Sequence, residues 1–457
     1  MSRIVVVGAG ISGLALAFRL RQRQPDAEIT ILESDSRPGG KIRTEQANGF
    51  VVEAGPNGFL ETKPSTIQLC RDLGLGDELI AASEESRKYR FLFLNNRLRK
   101  LPGGPFGLVA TGLFGIRGKL GLLSEFIRPG AAPAKDESVG EFFRRRMGRE
   151  AAEVLGDALV TGIHGGDPEL LSLKAAFPRA AEMEAKHGSV IRGFLRSAKQ
   201  RRRDAIARGE PPPKTGRMWS FRAGLGGLIE SLCARRPPVC GARVRRIERK
   251  ENSWLVHGDG QDSWPADRLV LACPAYEQAE MLAGLDASLA AEIGGIRYNR
   301  IAVVAVGFRQ SDLASVPAGF GFIAPQRTRR DLLGVQWCSA IYPGRAPQGC
   351  VLWRALCGGW NRPEIVDWDD GKLLHAVRME LQLALGVTAE PIFHRIIRWD
   401  RAIPQYHVGH LQRVARIEAL AAKWPGLILA GNAYRGVALN DCTEQAERIA
   451  AGEGVHP

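Results

Sequence analysis

The sequence lacks what would make it a membrane-spanning, secreted or metal-stapled protein. No apolar run approaches the roughly 20 residues that a bilayer-crossing helix requires. The nearest, PFGLVATGLFGI at 105–116, falls well short of that length and is interrupted by glycines. The opening MSRIVVVGAG runs straight into a strand pattern without the apolar core and small-residue cleavage site of a leader. The chain is therefore expected to start at Met1 and to stay in a reducing cytoplasm. Eight cysteines are scattered with no CxxC pair, which excludes a disulfide framework and the usual zinc and iron–sulfur spacings, so no metal is expected. Nucleic-acid motifs and basic–aromatic alternation are also missing, and no nucleic-acid partner is expected.

What is present in excess is positive charge. Lys and Arg number 63 against 49 Asp and Glu, a net +14, and 192–217 alone holds nine basic residues against two acidic ones. Such a balance calls for anionic partners, here an anionic membrane surface or a polycarboxylate substrate. Arg97, Arg99, Lys100, Arg117 and Lys119 frame the 105–116 stretch. That arrangement suits a segment lying in a membrane interface, with a buried helix or a lid over the substrate as the alternatives. Three consecutive prolines make 207–217 a loop. At 457 residues with 45% hydrophobic content the chain exceeds one core, so two or three interleaved domains are expected.

The first residues carry the strongest local signal. RIVVV (3–7) suits a buried parallel strand, GAGISG places Gly8, Gly10 and Gly13 after it, and LALAFRLRQR follows with amphipathic helical spacing. ITILE (29–33) then ends on Glu33, which follows Gly13 at the spacing of a ribose-binding acid. Strand, glycine turn, helix, strand and acid in this order make a dinucleotide site: the turn lets the backbone approach a pyrophosphate, and the acid accepts from the adenosine ribose. Arg37, Gly39, Gly40 and Lys41 come next and can wrap phosphates and a ribityl chain, which favours FAD over NAD. Buried strands at 267–275 and 426–436 return the chain to this unit, while 243–260 reads as paired strands. RIAVVAVGFRQ and GCVLWRALCGG add a second sheet roofing a ligand, and 105–205 reads as helical.

SRPGGKIRT (36–44), FVVEAGPNGF (50–59) and AGNAYRGVALND (430–441) resemble the flavin-contacting stretches of the flavin amine oxidase-like superfamily. In the middle, LVTGIHGGDPELLSLKAAFPR (159–179), MWSFRAGLGGLIESL (218–232) and RAIPQYHVGH (401–410) resemble the oxygen-dependent protoporphyrinogen oxidase family, which includes bacterial coproporphyrinogen-oxidising enzymes. The resemblance implies a mixed α/β fold with a Rossmann-like FAD-binding domain assembled from 1–85, 215–280 and 395–457. A helical, membrane-contacting or lid domain would span 86–214, and a substrate-binding sheet domain 281–394. FAD would contact Gly8, Gly10, Ser12, Gly13, Glu33, Arg37, Gly40, Lys41, Gly55, Val244, Trp399, Gly431, Val437, Ala438 and Leu439. Asn57 and Gly162 match the family positions nearest the reacting ring, Arg90 matches the arginine that pairs with a propionate, and Ile323 and Leu356 would be walls.

The implied reaction is oxidation of protoporphyrinogen IX to protoporphyrin IX in haem biosynthesis. Six electrons leave in three rounds, each passing hydride to the flavin, a pyrrole proton to solvent and two electrons to oxygen. Coproporphyrinogen III is the alternative substrate, and another amine oxidase or a carotenoid desaturase the second alternative. A flavin-free prenyl-protein carrier of related fold is disfavoured by the intact glycine turn and Glu33. The same resemblance brings ferrochelatase, a second copy of the chain and the inner face of the cell membrane as partners. His164 and His410 lie in substrate- and cofactor-adjacent motifs, but hydrogen-bonded structural histidines are the favoured reading. The chain departs from the family at Lys41, where many members carry arginine.

Overall fold

Strand Arg3–Val7 pairs in parallel with Glu28–Glu33 on one side and Arg268–Leu271 on the other; Val239–Cys240 and Leu427–Leu429 complete a five-stranded parallel sheet. Both faces are covered, which is why these strands are apolar throughout instead of alternating. Ile4, Val6, Ile29 and Ile31 pack under helix Ile11–Arg23 and the C-terminal helix Leu439–Ala450. Val5, Val7, Leu269 and Leu271 pack against helices Ala275–Leu282, Ala287–Gly294 and His410–Ala421. The computed structural model describes residues 1–104, 107, 110–128, 130, 135–209 and 217–452. Most of the 105–110 part of the interface segment and 210–216 of the proline loop lie outside the described residues.

A seven-stranded sheet runs in the order Phe393–Trp399, Ile301–Arg309, Cys350–Gly358, Gly334–Gln336, Gly321–Ile323, Arg90–Leu94, Arg97–Lys100. One face buries Val304, Phe308, Phe322 and Trp353 beneath helix Asp370–Leu385. Toward the Arg90–Leu94 end, the other face meets a helical layer, where Leu92, Leu94 and Ile323 pack with Leu122, Met147, Val154 and Ala158. That layer contains helices Ile116–Ser124, Val139–Met147, Asp157–His164, Pro178–His187 and Val190–Ala207. Ser138 and Glu141 form a reciprocal capping box on the second of these, worth about 1 kcal/mol by the usual cost of losing such a cap.

Two expected boundaries move. Arg90–Leu94 and Arg97–Lys100 fall within the expected helical segment 86–214, but they extend the seven-stranded sheet, Phe91 pairing with Phe322 and Lys100. Phe393–Trp399 runs past 394 in the same sheet, paired with Ile301–Arg309. Both follow from the need of strand backbone groups for partners, which only the sheet supplies. The 243–260 region forms the expected antiparallel pair, Arg246–Lys250 with Ser253–His257, and gains a third strand, Ser263–Ala266. Among the described residues no helix is long and apolar enough to cross a membrane, and no cluster of metal-ligating side chains occurs.

Candidate active site

The glycine turn is built for close approach. Gly8 has φ +105°, and a Cβ there would lie 2.8 Å from the Cys273 amide nitrogen; a Cβ on Gly13 would lie 2.0 Å from the Gly8 carbonyl oxygen. Around Gly10 the space is open. Glu33, buried at the end of its strand, reaches back to this turn, where its carboxylate accepts from Ala9 N at 2.8 Å and from Asp35 N at 3.0 Å. Gly10 bridges to Gly39, so the 37–41 loop lies directly over the turn. There Arg37 donates to the Pro38 and Gly40 carbonyls. Lys41 has no ion pair among the described residues and lies 4.3 Å from the Trp399 ring; burial pushes its pKa down to about 8.

The remaining predicted cofactor contacts close the same cradle. Val244 lies beside Leu32 and Val7 in the core behind Glu33, with Ala242 N donating to the Glu33 carbonyl. Gly431, two residues past the last parallel strand, has φ +113°, and its N–H donates to Gln445 Oε1. Val437 is half-buried and Ala438 exposed; Ala438 N donates to Asp441 just before Leu439 opens the C-terminal helix. Helix Ile11–Arg23, in whose first turn Ser12 lies, shares one core with the C-terminal helix that carries Cys442.

The 53–58 segment carries Gly55 and Asn57 across to the seven-stranded sheet. A Cβ on Gly55 would lie 2.0 Å from the Lys41 carbonyl, and Trp399 Nε1 donates to Ala54 O at 2.8 Å. Asn57 is buried, with its Nδ2 donor unpartnered. Such an orphan inside a protein signals a bound group or strain. Beneath lies a cluster unforeseen from the sequence: Glu53, Arg345 and Arg354, all buried. Glu53 accepts from Leu225 N and Thr44 Oγ1 and lies 3.4 Å from Arg345, yet burial still raises its pKa. Arg354 donates to the Glu53 and Gly55 carbonyls and to Gln336 Oε1. The only available signal was an arginine interrupting the apolar strand CVLWRALCG.

The substrate-site residues converge through strand register. Leu92, Ile323, Gly334 and Leu356 form one cross-strand row; Arg90, Gly321, Gln336 and Arg354 form the next. Positions two apart share a face, so Arg90, Ile323, Leu356 and Arg354 look the same way. In strands that are otherwise mostly buried, Ile323 and Leu356 are only half-buried. Helix Asp157–His164, entered through a π-helical turn at Ala152–Gly156, sets Gly162 on Ile323: a Cβ there would meet Ile323 Cδ1 at 2.6 Å. Arg90 is exposed and stands 5.0 Å from the Phe320 ring; protein crowding one side of its guanidinium lowers its pKa. Arg97 and Arg99, opposite Leu94 and Leu92, share its face. None of these three arginines has a carboxylate partner among the described residues.

Both histidines are held neutral, with pKa values pushed down to about 4, chiefly by burial. His410 donates from Nε2 to the Tyr434 carbonyl and stacks on Tyr406. His164 packs edge-on to Phe177, and neither ring nitrogen has a hydrogen-bond partner among the described residues. The structure thus makes His410 a hydrogen-bonded brace but leaves His164 without the hydrogen bond its structural reading assumed.

The chain belongs to the flavin containing amine oxidoreductase family, whose description matches residues 11–452. Within it, the chain is 32% identical to a coproporphyrinogen III oxidase of Bacillus subtilis, covering 97% of this chain and 96% of that one. It is 31% identical to protoporphyrinogen oxidase 1 of Arabidopsis thaliana chloroplasts, covering 98% and 87%. A crystal structure from Exiguobacterium sp. 255-15, provisionally assigned as a protoporphyrinogen oxidase, superposes with a TM-score of 0.83 at 26% identity, covering 99% of this chain and 98% of that one. FAD is the cofactor, and the glycine turn, the Glu33 carboxylate, the half-buried Lys41 and the orphaned Asn57 amide fit it.

Proposed function

We propose that this chain oxidises a porphyrinogen to the porphyrin, with oxygen as the terminal acceptor. The observation that carries the reading is the sheet face on which Arg90, Ile323 and Leu356 stand side by side opposite Gly162, with relatives of nearly equal length named as porphyrinogen oxidases. A porphyrinogen is a broad apolar ring with carboxylate arms, and that face pairs aliphatic walls with cations at its open edge. FAD supplies the two-electron acceptor in each of three rounds. The chain's part is to position the ring. Ile323 and Leu356 exclude water from one side, Gly162 lets the helix approach, Arg90 anchors a carboxylate, and the Asn57 amide offers a donor at the reacting edge. His164 and His410, held neutral by burial, are assigned no proton transfer.

Protoporphyrinogen IX and coproporphyrinogen III differ in having two or four propionates. Arg97 and Arg99 add two cations to the face of Arg90, which favours the tetracarboxylate as the second reading. Competition between the two substrates in steady state tests it: a higher kcat/KM for coproporphyrinogen selects that reading. We also read helix Ile116–Ser124 as a contact with an anionic membrane surface. Ile116, Leu120 and Leu123, with Ile127 beyond them, are exposed at one helical face, and Arg117, Lys119 and Arg128 flank it. Cosedimentation with anionic but not neutral vesicles, lost on Leu120→Glu, is the expected result.

A further inference from the structure

Three consecutive carbonyls of one segment, at Glu53, Ala54 and Gly55, are each held by a side chain of the seven-stranded sheet. Arg354 Nη1 takes the first and third at 2.6 and 2.7 Å, and Trp399 Nε1 takes the second at 2.8 Å. Arg354 stands mid-sheet, 3% exposed, between Gln336 and Ala305 on the neighbouring strands. Its other amino group donates to Gln336 Oε1 at 2.7 Å, and Nε has no partner.

Every hydrogen-bond acceptor of this guanidinium is neutral. The nearby carboxylate, Glu53, is engaged by Arg345, Leu225 and Thr44. Two buried arginines thus face one buried acid, an excess of one positive charge. Burying such a charge costs several kcal/mol unless something compensates it. A structural tie between a strand and a loop would not need a cation, because an amide or hydroxyl donates to carbonyls at lower desolvation cost. The compensation is expected where the tied segment leads, to Gly55 and Asn57.

We propose that Arg354 is a positioning residue of the flavin site, fixing the 53–55 backbone against the sheet and holding a positive charge beside bound FAD. The inference rests on FAD contact at Gly55. With its carbonyls turned to the sheet, the segment presents its opposite side and the Asn57 amide to the cofactor. The charge favours the electron-rich reduced flavin over the oxidised one, as a fixed cation in a low-dielectric site does for any developing negative charge.

The test titrates Arg354→Met apoprotein with FAD, with circular dichroism to check the fold, and measures the midpoint potential of the bound flavin. The expected results are a native-like spectrum, FAD affinity weakened by about tenfold or more as the two charge-assisted hydrogen bonds to the Glu53 and Gly55 carbonyls are lost, and a more negative potential. Arg354→Lys keeps the charge without the fork, so it should restore the potential but only part of the affinity. Wild-type affinity and potential in Arg354→Met would overturn the proposal. If that variant does not fold, Gln336→Leu, which removes only the Nη2 contact, decides: FAD binding weakened a few-fold supports the proposal, unchanged binding overturns it. Wild-type protein unable to bind FAD would sink the cofactor reading itself.

Discussion

Two buried charge clusters in this molecule are opposites. In the helical layer, Arg146 lies between Glu125 and Glu184, all at most 4% exposed in their side chains. Glu125 also accepts from Ser189 Oγ at 2.6 Å and Val190 N at 2.7 Å, at the start of helix Val190–Ala207. Around Glu53 the balance is inverted: two arginines face one acid, and Arg345 Nε and Nη1, Arg354 Nε, Tyr342 Oη and Asn57 Nδ2 have no hydrogen-bond partner among the described residues. The carboxylates of the first cluster are engaged within the fold, pinning four helices: Ile116–Ser124 at its C-terminal end, Val139–Met147, Pro178–His187 and Val190–Ala207. The second leaves donors unmet beside the cofactor cradle, where unmet polarity marks a working site.

The contrast is sharpest as a double dissociation. Gly13→Val should abolish FAD retention, since even the first side-chain carbon would lie 2.0 Å from the Gly8 carbonyl, while the helical layer stays intact. A yellow Gly13→Val protein would remove the pyrophosphate from this turn. Glu125→Ala should do the reverse. It removes one of the two carboxylates beside a buried guanidinium and strands two helix-start donors, costing about 3 kcal/mol in a denaturant titration, with the FAD affinity of the folded fraction unchanged. Equal losses of stability and FAD affinity in that variant would erase the distinction between the clusters.

Smaller effects test the open edge of the site. Arg90→Ala should raise KM about tenfold with kcat retained, the signature of an anchor that binds ground and transition states alike; unchanged kinetics would remove Arg90 from the site. Lys41 adds a pH signature. Its pKa is lowered to about 8 from the ordinary 10.5, so burial disfavours the ammonium, and this burden on the FAD-free fold is lifted as pH rises through that window. Pairing with an FAD phosphate needs the ammonium, so affinity runs the other way. It should hold steady below about pH 8 and weaken above it, by at most about tenfold per unit for one proton. Lys41→Arg should flatten that dependence, and a wild-type profile flat to about pH 10 would release Lys41 from the phosphates.

How much was legible from the sequence follows the range of the contacts. Gly8, Gly13 and Glu33 could be read directly because a βαβ unit is local: one short stretch of chain fixes the turn, the strand spacing and the acid. The face shared by Arg90, Ile323 and Leu356 was reached through family resemblance, since its geometry depends on register among strands brought together from distant parts of the chain. The same dependence hid Arg354, whose partners at Glu53 and Gly55 lie far back along the chain. It also hid Arg90–Leu94, whose sheet partner lies at 321–323, and with it Arg97–Lys100, a short edge strand that joins the sheet through Arg90–Leu94.

The central claim is tested most directly by mixing the yellow protein anaerobically with protoporphyrinogen and with coproporphyrinogen and following the flavin absorbance. The account predicts rapid bleaching by at least one of them, with porphyrin fluorescence rising through further turnovers once air is admitted. Bleaching by neither, while an amine or a carotenoid precursor bleaches it, would contradict the porphyrinogen assignment and leave only the flavin fold standing.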